Sequence, residues 1–437
     1  MKRITTRAVS LLLLSAMVIL GLTVFVLRYV DDGRGWALYF SRLNSGSTGE
    51  VLDRTGLVLA SFDAAENRFH EDKLTRSANY HVTGDYWGRT GTGVLSAFWG
   101  DLQGYSLISG TTQARHRSLE LTVDALLDNK AYSAMGGHKG AVLIANYRTG
   151  ELLCMVSTPV IDPVSPSSDP DDGAYINRCL SASFIPGSVF KLITAAAAIE
   201  QLPDIETRKY YCEGETTFAG VPVICVGTHY TQTFEEAMAN SCNVAFSQIA
   251  VRLGQDTMIR YVRQYGFLDG HQLNGIPTAA GSFPLEFVGD PELGWAGIGQ
   301  STDMICPYSL LRYVMAIAND GILCEPTLIR SEKTVKSRLI ETATAQKLQE
   351  MMSYNVAKTY GGEAAFGDLP VCGKTGTAEI GDGTSHAWFT GFLDDEEHPY
   401  AFVVMVEQGG GGLSVASPIA STVLQYAVFT RSRYWFD

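Results

Sequence analysis

Between Ala8 and Leu27 the chain carries no charged residue. A run of about 20 apolar residues is long enough to cross a bilayer as a helix. That stretch marks the first thirty residues as a membrane or export segment. Lys2, Arg3 and Arg7 precede it, and Arg28 and Arg34 follow among Asp31 and Asp32. The basic flank normally stays inside, so the C-terminal bulk is expected on the external face of the cell membrane. A cleaved signal peptide has a shorter apolar core, about 7–15 residues, ending at a small-x-small site. Gly21 to Leu27 offers a poor cleavage site. An uncleaved single-pass anchor, residues 1–30 with their short cytoplasmic tail, is the expectation.

The 437 residues allow two or three domains. Hydrophobic residues make up 46% and charged residues 18%, enough to bury a core and too apolar for a disordered protein. The net charge of −13 argues against a nucleic-acid partner, which wants a basic face. It fits ordinary solubility. There are 8 cysteines and none precedes Cys154. The even number suits an exported domain that can hold disulfides. Cys212 and Cys225 lie in one loop-like stretch and are expected to pair. No CxxC pair or His-rich cluster stands out, so neither a metal nor a cofactor is expected.

From 31 to 124 the character is mixed, and this stretch reads as a small N-terminal pedestal. Asp53-Arg54-Thr55-Gly56 is a turn signal before a short strand. Gly88 to Gly104 is rich in glycine and aromatics, but no Gly-Lys-Ser/Thr closes it as a phosphate loop would, so it reads as a packing loop. The second domain is expected over 125–437. Ala141–Ala145 and Leu152–Val156 are apolar runs joined by Tyr147-Arg148-Thr149-Gly150, a hairpin buried on both faces. Ile161 to Gly173 is polar. Its Asp169, Asp171 and Asp172 lack the spacing and closing Glu of a calcium loop, so a solvated loop is expected. Pro186 to Gln201 reads as a helix, with Ala195 to Ala198 packing closely on all sides. Thr233 and Glu236 make a capping box for a helix ending near Asn240. Another helix runs from Asn243 to Leu253, closed by Gly254. Gly373–Ile380 and His386–Phe392 flank Gly381-Asp382-Gly383-Thr384, a second hairpin. Ala401–Val406 is a buried strand, and Pro418–Phe429 a final helix. Strands at both ends of a domain with helices between them imply an α+β fold, one antiparallel sheet covered by helices.

Three short motifs stand in order: Ser188-Val189-Phe190-Lys191, Ser241-Cys242-Asn243, and Lys374-Thr375-Gly376-Thr377. Each alone is weak, because S-x-x-K and S-x-N recur by chance. Their order and local settings strengthen one another. On a helix, Ser188 and Lys191 share a face and can touch. A serine hydroxyl is a poor nucleophile until a base takes its proton. A buried lysine can be that base, since desolvation and a nearby cation such as Lys374 favour its neutral form. A solvated surface lysine is the bland alternative, and the alanine-rich helix argues against it. Ser241 would bridge Lys191 and Lys374 and pass a proton to a leaving amine. Asn243 offers both donor and acceptor to a substrate amide. Plain helix capping is the alternative for both residues. Lys374 supplies charge for a substrate carboxylate, Thr375 and Thr377 add hydroxyls, and Gly376 leaves room for a substrate to dock as an extra strand. The backbone N–H groups of Ser188 and Thr377 would form an oxyanion hole.

With these motifs in place the sequence resembles the class B penicillin-binding proteins, within them the short group called penicillin-binding protein A. The trio itself is shared by penicillin-binding proteins and serine β-lactamases. Asp53-Arg54-Thr55-Gly56 is similar to the family's Asp-Arg-Asn/Thr-Gly box. Gly140-Ala141-Val142 with Thr149-Gly150-Glu151 resembles its first catalytic-domain strands. Pro186–Lys191 is close to its Pro-Gly-Ser-x-Phe-Lys, and Gly297-Ile298-Gly299-Gln300 with Pro307 resembles its Gly-x-Gly-Gln segment. The resemblance implies a serine transpeptidase or β-lactamase-like fold and a reaction. Ser188 attacks the penultimate D-Ala carbonyl of a peptidoglycan stem peptide, the last D-Ala leaves, and an amine from a neighbouring strand takes the acyl group. β-Lactams would trap Ser188 as an acyl-enzyme. Family members often work with a polytopic membrane glycosyltransferase. No glycosyltransferase domain is expected before Ser188, and the external N-terminal stretch is short for the family.

Hydrolysis is the main alternative, by a D,D-carboxypeptidase or a serine β-lactamase. A class A β-lactamase needs a Glu after the second motif to activate water, and Gly266 to Ala280 has none. A class D enzyme would carry Val or similar where Asn243 stands. A non-catalytic penicillin sensor usually has several membrane helices, and one is expected here.

Overall fold

The apolar runs on either side of Tyr147–Gly150 form strands β1 (Gly140–Asn146) and β2 (Leu152–Thr158), buried along almost their whole length. In the computed structural model they sit at one side of a five-stranded antiparallel sheet. The described residues are 2–41, 49–62, 67–103, 105–106, 111–112, 117–167, 169–171, 173–284, 289–300, 302–330 and 334–435. Met1, Gly104 and Asp172, each part of a stretch read above, lie outside them.

The chain divides into two units. The smaller holds Met1–Val51, Ala60–Arg68 and Phe98–Leu119. Helix α1 (Lys2–Ser41) belongs to it, and its segment Arg7–Tyr29 is long and apolar enough to cross a membrane, with none of its apolar window buried. The larger holds Leu52–Leu59, Phe69–Ala97 and Glu120–Asp437. Leu52–Leu59 and Phe69–Ala97, which the sequence places in a pedestal, thus pack within the larger unit.

The order of the main sheet is β3 (Val371–Glu379), β4 (Ser385–Leu393), β5 (Tyr400–Val406), β1, β2. All neighbours are antiparallel, and Lys374 pairs with Thr390, Gly376 with Trp388. Strand β3 is therefore an edge, with one side open to other elements. One face of the sheet packs helix α2 (Ala125–Met135) and helix α8 (Ser417–Tyr426) around Val142, Ile144, Phe389 and Phe402. The apolar C-terminal stretch Gly412–Tyr434 would also pass for a membrane span by composition, but 56% of its window is buried inside this core. The other face meets helix α6 (Pro307–Ala318), buried from Pro307 to Ile317. Such an all-round apolar helix belongs in a core, where each large side chain contributes about 1.5–3 kcal/mol by leaving water.

Local signals match the elements closely. Thr233 and Glu236 make both reciprocal capping bonds at the head of α4 (Phe234–Ala239). Helix α5 (Asn243–Leu253) ends at Gly254 with φ +78°. The expected helix from Pro186 is divided: Gly187–Phe190 is a 3-10 turn, and α3 (Lys191–Gln201) continues from it. The Asp53 turn forms because Asp53 Oδ1 accepts from the backbone N–H of Thr55 and Leu57 at 2.8 and 2.9 Å. Arg54 then donates to the Thr122 carbonyl at 3.0 Å, a bond within the larger unit.

Asp124 is the anchor of that region. It caps α2 through the N–H groups of Leu126 and Leu127, and accepts from Arg431 Nε at 2.8 Å and Trp435 Nε1 at 2.6 Å. Its side chain is fully buried, so removal strands a guanidinium and two helix donors. Asp124→Ala is expected to destabilise the fold by about 3–5 kcal/mol, read as a fall in the thermal midpoint.

Candidate active site

Ser188 sits in the 3-10 turn, on backbone held against strand β3. Gly187 makes this possible. Its φ is +56°, and a Cβ there would stand 2.5 Å from the Thr377 carbonyl oxygen. The Gly187 N–H donates to the Gly299 carbonyl at 2.8 Å, so the Gly-Ile-Gly-Gln segment buttresses the turn from behind. Gln300 Nε2 also donates to the Thr377 carbonyl at 3.2 Å. The turn and the edge strand are therefore pressed together where Ser188 and Thr377 present their backbone.

Lys191 begins the α-helix one turn later, fully buried. Its Nζ lies 3.0 Å from Ser188 Oγ, 2.6 Å from the Ser241 carbonyl oxygen, 2.7 Å from Asn243 Oδ1 and 3.2 Å from Ser241 Oγ. The second motif lies in the break between α4 and α5, where Cys242 caps α5. Ser241 has φ +51°, a conformation costly for a residue with a side chain. This bend lets one residue offer both its carbonyl and its hydroxyl to the pocket. Lys374, also fully buried, donates to Ser241 Oγ at 3.0 Å and to the Thr375 carbonyl at 2.9 Å. Ser188, Lys191, Ser241, Asn243 and Lys374 thus form one continuous polar chain drawn from three distant stretches.

Burial, reinforced by the Lys374 ammonium nearby, pushes Lys191 well below its ordinary value. Burial pushes Lys374 down to about 7. Among the described residues, neither lysine has a carboxylate as a hydrogen-bond partner. The pocket therefore offers a neutral amine beside a hydroxyl, and a second cation-forming group one hydroxyl away.

Gly376 faces the Ser188 turn, and a Cβ on it would meet the Pro186 carbonyl and the Val189 side chain at 3.0 Å. Thr377 is exposed, and its Oγ1 accepts from the Gly412 N–H at 3.4 Å. Thr375 is placed differently from the expectation of a free hydroxyl. Its Oγ1 and N–H both donate to Tyr360 Oη, at 3.1 and 3.2 Å. Asn355 Nδ2 donates to the Gly373 carbonyl at 3.0 Å. Both partners sit at the end of helix α7 (Thr342–Thr359), which packs along β3. Sequence reasoning missed them, because a long amphipathic helix carries no local mark of which residues reach a strand.

The expected disulfide is corrected. Cys212 and Cys225 are both free thiols. Cys212 Sγ donates to the Gly227 carbonyl at 3.5 Å, and the Cys225 sulfur lies 3.8 Å from that of Cys242. The loop brings in a third cysteine from inside the second motif, which a pairing argument confined to the loop leaves out.

Known proteins give the context. The penicillin-binding protein transpeptidase domain matches residues 140–425. Stage V sporulation protein D of Bacillus subtilis is 31% identical over 317 residues, 65% of this chain and 48% of that protein. The chain thus spans about half the length of that relative. Peptidoglycan D,D-transpeptidase PbpA of Mycobacterium tuberculosis is 30% identical over 364 residues, 72% of this chain and 73% of that one. The structure of penicillin-binding protein A from M. tuberculosis as a penicillin G acyl-enzyme complex superposes with a TM-score of 0.76 at 25% identity, covering 88% of this chain and all of that one (100%).

Proposed function

The chain belongs to the penicillin-binding protein transpeptidase family, and from that premise we propose that it is a peptidoglycan D,D-transpeptidase working through a Ser188 acyl-enzyme. The observation that carries the reading is the 3.0 Å approach of Lys191 Nζ to Ser188 Oγ, with no carboxylate partner among the described residues.

A neutral amine has two hydrogens and one lone pair. The Ser241 carbonyl and Asn243 Oδ1, at 2.6 and 2.7 Å, take the two hydrogens. The lone pair is left to accept the Ser188 proton as Ser188 Oγ attacks the penultimate D-Ala carbonyl. The new C–O bond places negative charge on the former carbonyl oxygen, and the backbone N–H groups of Ser188 and Thr377 stabilise it. The C–N bond to the last D-Ala then breaks. Its nitrogen receives a proton through Ser241 Oγ, which lies between Lys191 and Lys374. Lys374 and the Thr377 hydroxyl bind the terminal carboxylate, while Thr375 stiffens the strand through Tyr360. An acceptor amine attacks the ester next, losing its proton along the same path, and Ser188 is restored. A β-lactam enters by the first step and stays, because its leaving nitrogen remains tethered.

Residues 125–437 carry the catalytic domain in this reading, 1–30 the anchor and 31–124 the pedestal and linker, of which Leu52–Leu59 and Phe69–Ala97 pack within the larger unit. Arg7–Tyr29 spans the membrane with Lys2 and Arg3 inside, which puts the pocket on the external face where its substrate lies. A polytopic membrane glycosyltransferase supplies the strands to be joined, as is common for the family.

Retention of label separates this reading from a β-lactamase. The full chain in detergent, treated with fluorescent penicillin and then chased with unlabelled drug, is expected to keep its label over many minutes. Complete loss within seconds would favour hydrolysis. Gly187→Ala tests the turn. The left-handed backbone costs a side chain about 1–2 kcal/mol, and the new Cβ presses on the Thr377 carbonyl. Its labelling rate is expected to fall at least about 10-fold, measured beside its thermal midpoint.

A further inference from the structure

Cys212, Cys225, His229 and Cys242 place their ligand atoms within 4.8 Å of one another. The geometry points to a tetrahedral zinc site of three thiolates and one imidazole, fastened to the second catalytic motif. A tetrahedral ion with Zn–S near about 2.3 Å and Zn–N near about 2.0 Å needs S···S edges of about 3.8 Å and S···N edges of about 3.6 Å. Cys225 Sγ stands 3.8 Å from Cys242 Sγ and 3.6 Å from His229 Nδ1. The sulfurs are far beyond bonding distance, since a disulfide needs about 2.05 Å.

The ligands come from separate small elements. Cys212 ends the strand Tyr210–Cys212, which pairs with Tyr230–Gln232. Cys225 follows the hairpin strand Val221–Ile224, His229 leads into the return strand, and Cys242 caps α5. The stretch from Tyr210 to Gln232 has almost no core of its own. Its buried side chains are Tyr210, Cys212, Val223, Cys225 and Gln232, while Tyr211, Ile224, Val226 and Tyr230 lie exposed. A segment so poor in apolar burial needs a staple, and a structural metal is one of the few available. Backbone N–H groups already point at two of the sulfurs. Asn243 N donates to Cys225 Sγ at 3.3 Å and Ala245 N to Cys242 Sγ at 3.4 Å, the outer support that thiolate ligands require.

Binding exchanges the three thiol protons for one Zn²⁺. The ion would not touch substrate. Cys242 lies between Ser241 and Asn243, and Asn243 Nδ2 donates to the Ile224 carbonyl beside Cys225 at 2.8 Å. The ion would therefore lock the bend that gives Ser241 its positive φ and aims Asn243 Oδ1 at Lys191. It is a positioning device. Sequence spacing hides it, because the four ligands fall outside any CxxC pattern and one is the middle residue of a catalytic motif.

The test uses the full chain in detergent, purified without chelator in zinc-supplemented medium. Elemental analysis is expected to find about one zinc per chain. His229→Ala should reduce this to below about one fifth, and His229→Cys, which rebuilds a four-ligand set, should restore it. Cobalt exchanged into the wild type should give a thiolate-to-cobalt charge-transfer band, a readout independent of any variant's folding. Wild-type protein without zinc, zinc content unchanged in His229→Ala, or a Cys225–Cys242 disulfide in non-reduced peptide maps would each overturn the site. The link to catalysis rests on the transpeptidase reading and is measured separately. Stripping zinc should slow penicillin acylation at least about 10-fold, with recovery on adding zinc back. An unchanged rate would overturn the positioning role while leaving the site standing.

Discussion

Ser188→Ala is expected to abolish labelling by fluorescent penicillin, with a loss of at least about 10⁴-fold in the second-order rate of acylation. The size follows from the kind of step removed. Without Oγ there is no atom to form the acyl bond, and neither neighbouring hydroxyl can stand in. Ser241 Oγ is held between two lysines at 3.2 and 3.0 Å. Thr377 Oγ1 is engaged by the Gly412 N–H. The variant should fold normally, since among the described residues the hydroxyl bonds to Lys191 alone. Noncovalent, reversible binding of penicillin should persist, because Lys374 is untouched.

Lys191→Met is expected to slow acylation about 10³-fold or more while raising the thermal midpoint. Burying a lysine that has no carboxylate partner among the described residues costs stability, and a well-packed apolar replacement regains about 1–4 kcal/mol. A gain in stability with a loss of activity separates a catalytic base from a structural residue, whose removal would lower both. The pH profile carries the same logic. Acylation should rise as Lys191 loses its proton, at a pH well below the ordinary lysine range. It should fall again as Lys374 loses its own, from about pH 7 upward in the free enzyme. Lys374→Arg keeps the cation at every accessible pH, so the alkaline limb should vanish. The effect on stability has a definite sign. Lys374 titrates lower when folded, near about 7 against 10.5, so the unfolded chain binds more protons between those values. Stability contributed at this site therefore rises with pH across that window, and the deficit at pH 7 is about 4 kcal/mol.

The three motifs, the capping box at Thr233, the hairpins and the α+β class could all be read from residue order, because each rests on neighbours a few positions apart. The rest depends on contacts that local patterns do not encode. The split of the Ser188 helix into a 3-10 turn and α3 follows from the close approach of Gly187 to Thr377. The use of the Ser241 carbonyl as a partner for Lys191 needs a left-handed residue that no serine announces. Tyr360 and Asn355 reach β3 only because α7 packs along it. Cys212 and Cys225 stand in one loop, and the inference of a disulfide failed because Cys242 arrives from the catalytic motif.

Acyl transfer to an amine is what separates a transpeptidase from a hydrolase. The direct measurement incubates the wild-type chain with a peptide ending in D-Ala-D-Ala, with and without an amine acceptor, and counts free D-Ala and joined product by mass spectrometry. The expected result is joined product in step with D-Ala release, both rising with acceptor and both absent in Ser188→Ala. D-Ala release that ignores the acceptor and yields only shortened peptide would contradict it and identify a carboxypeptidase.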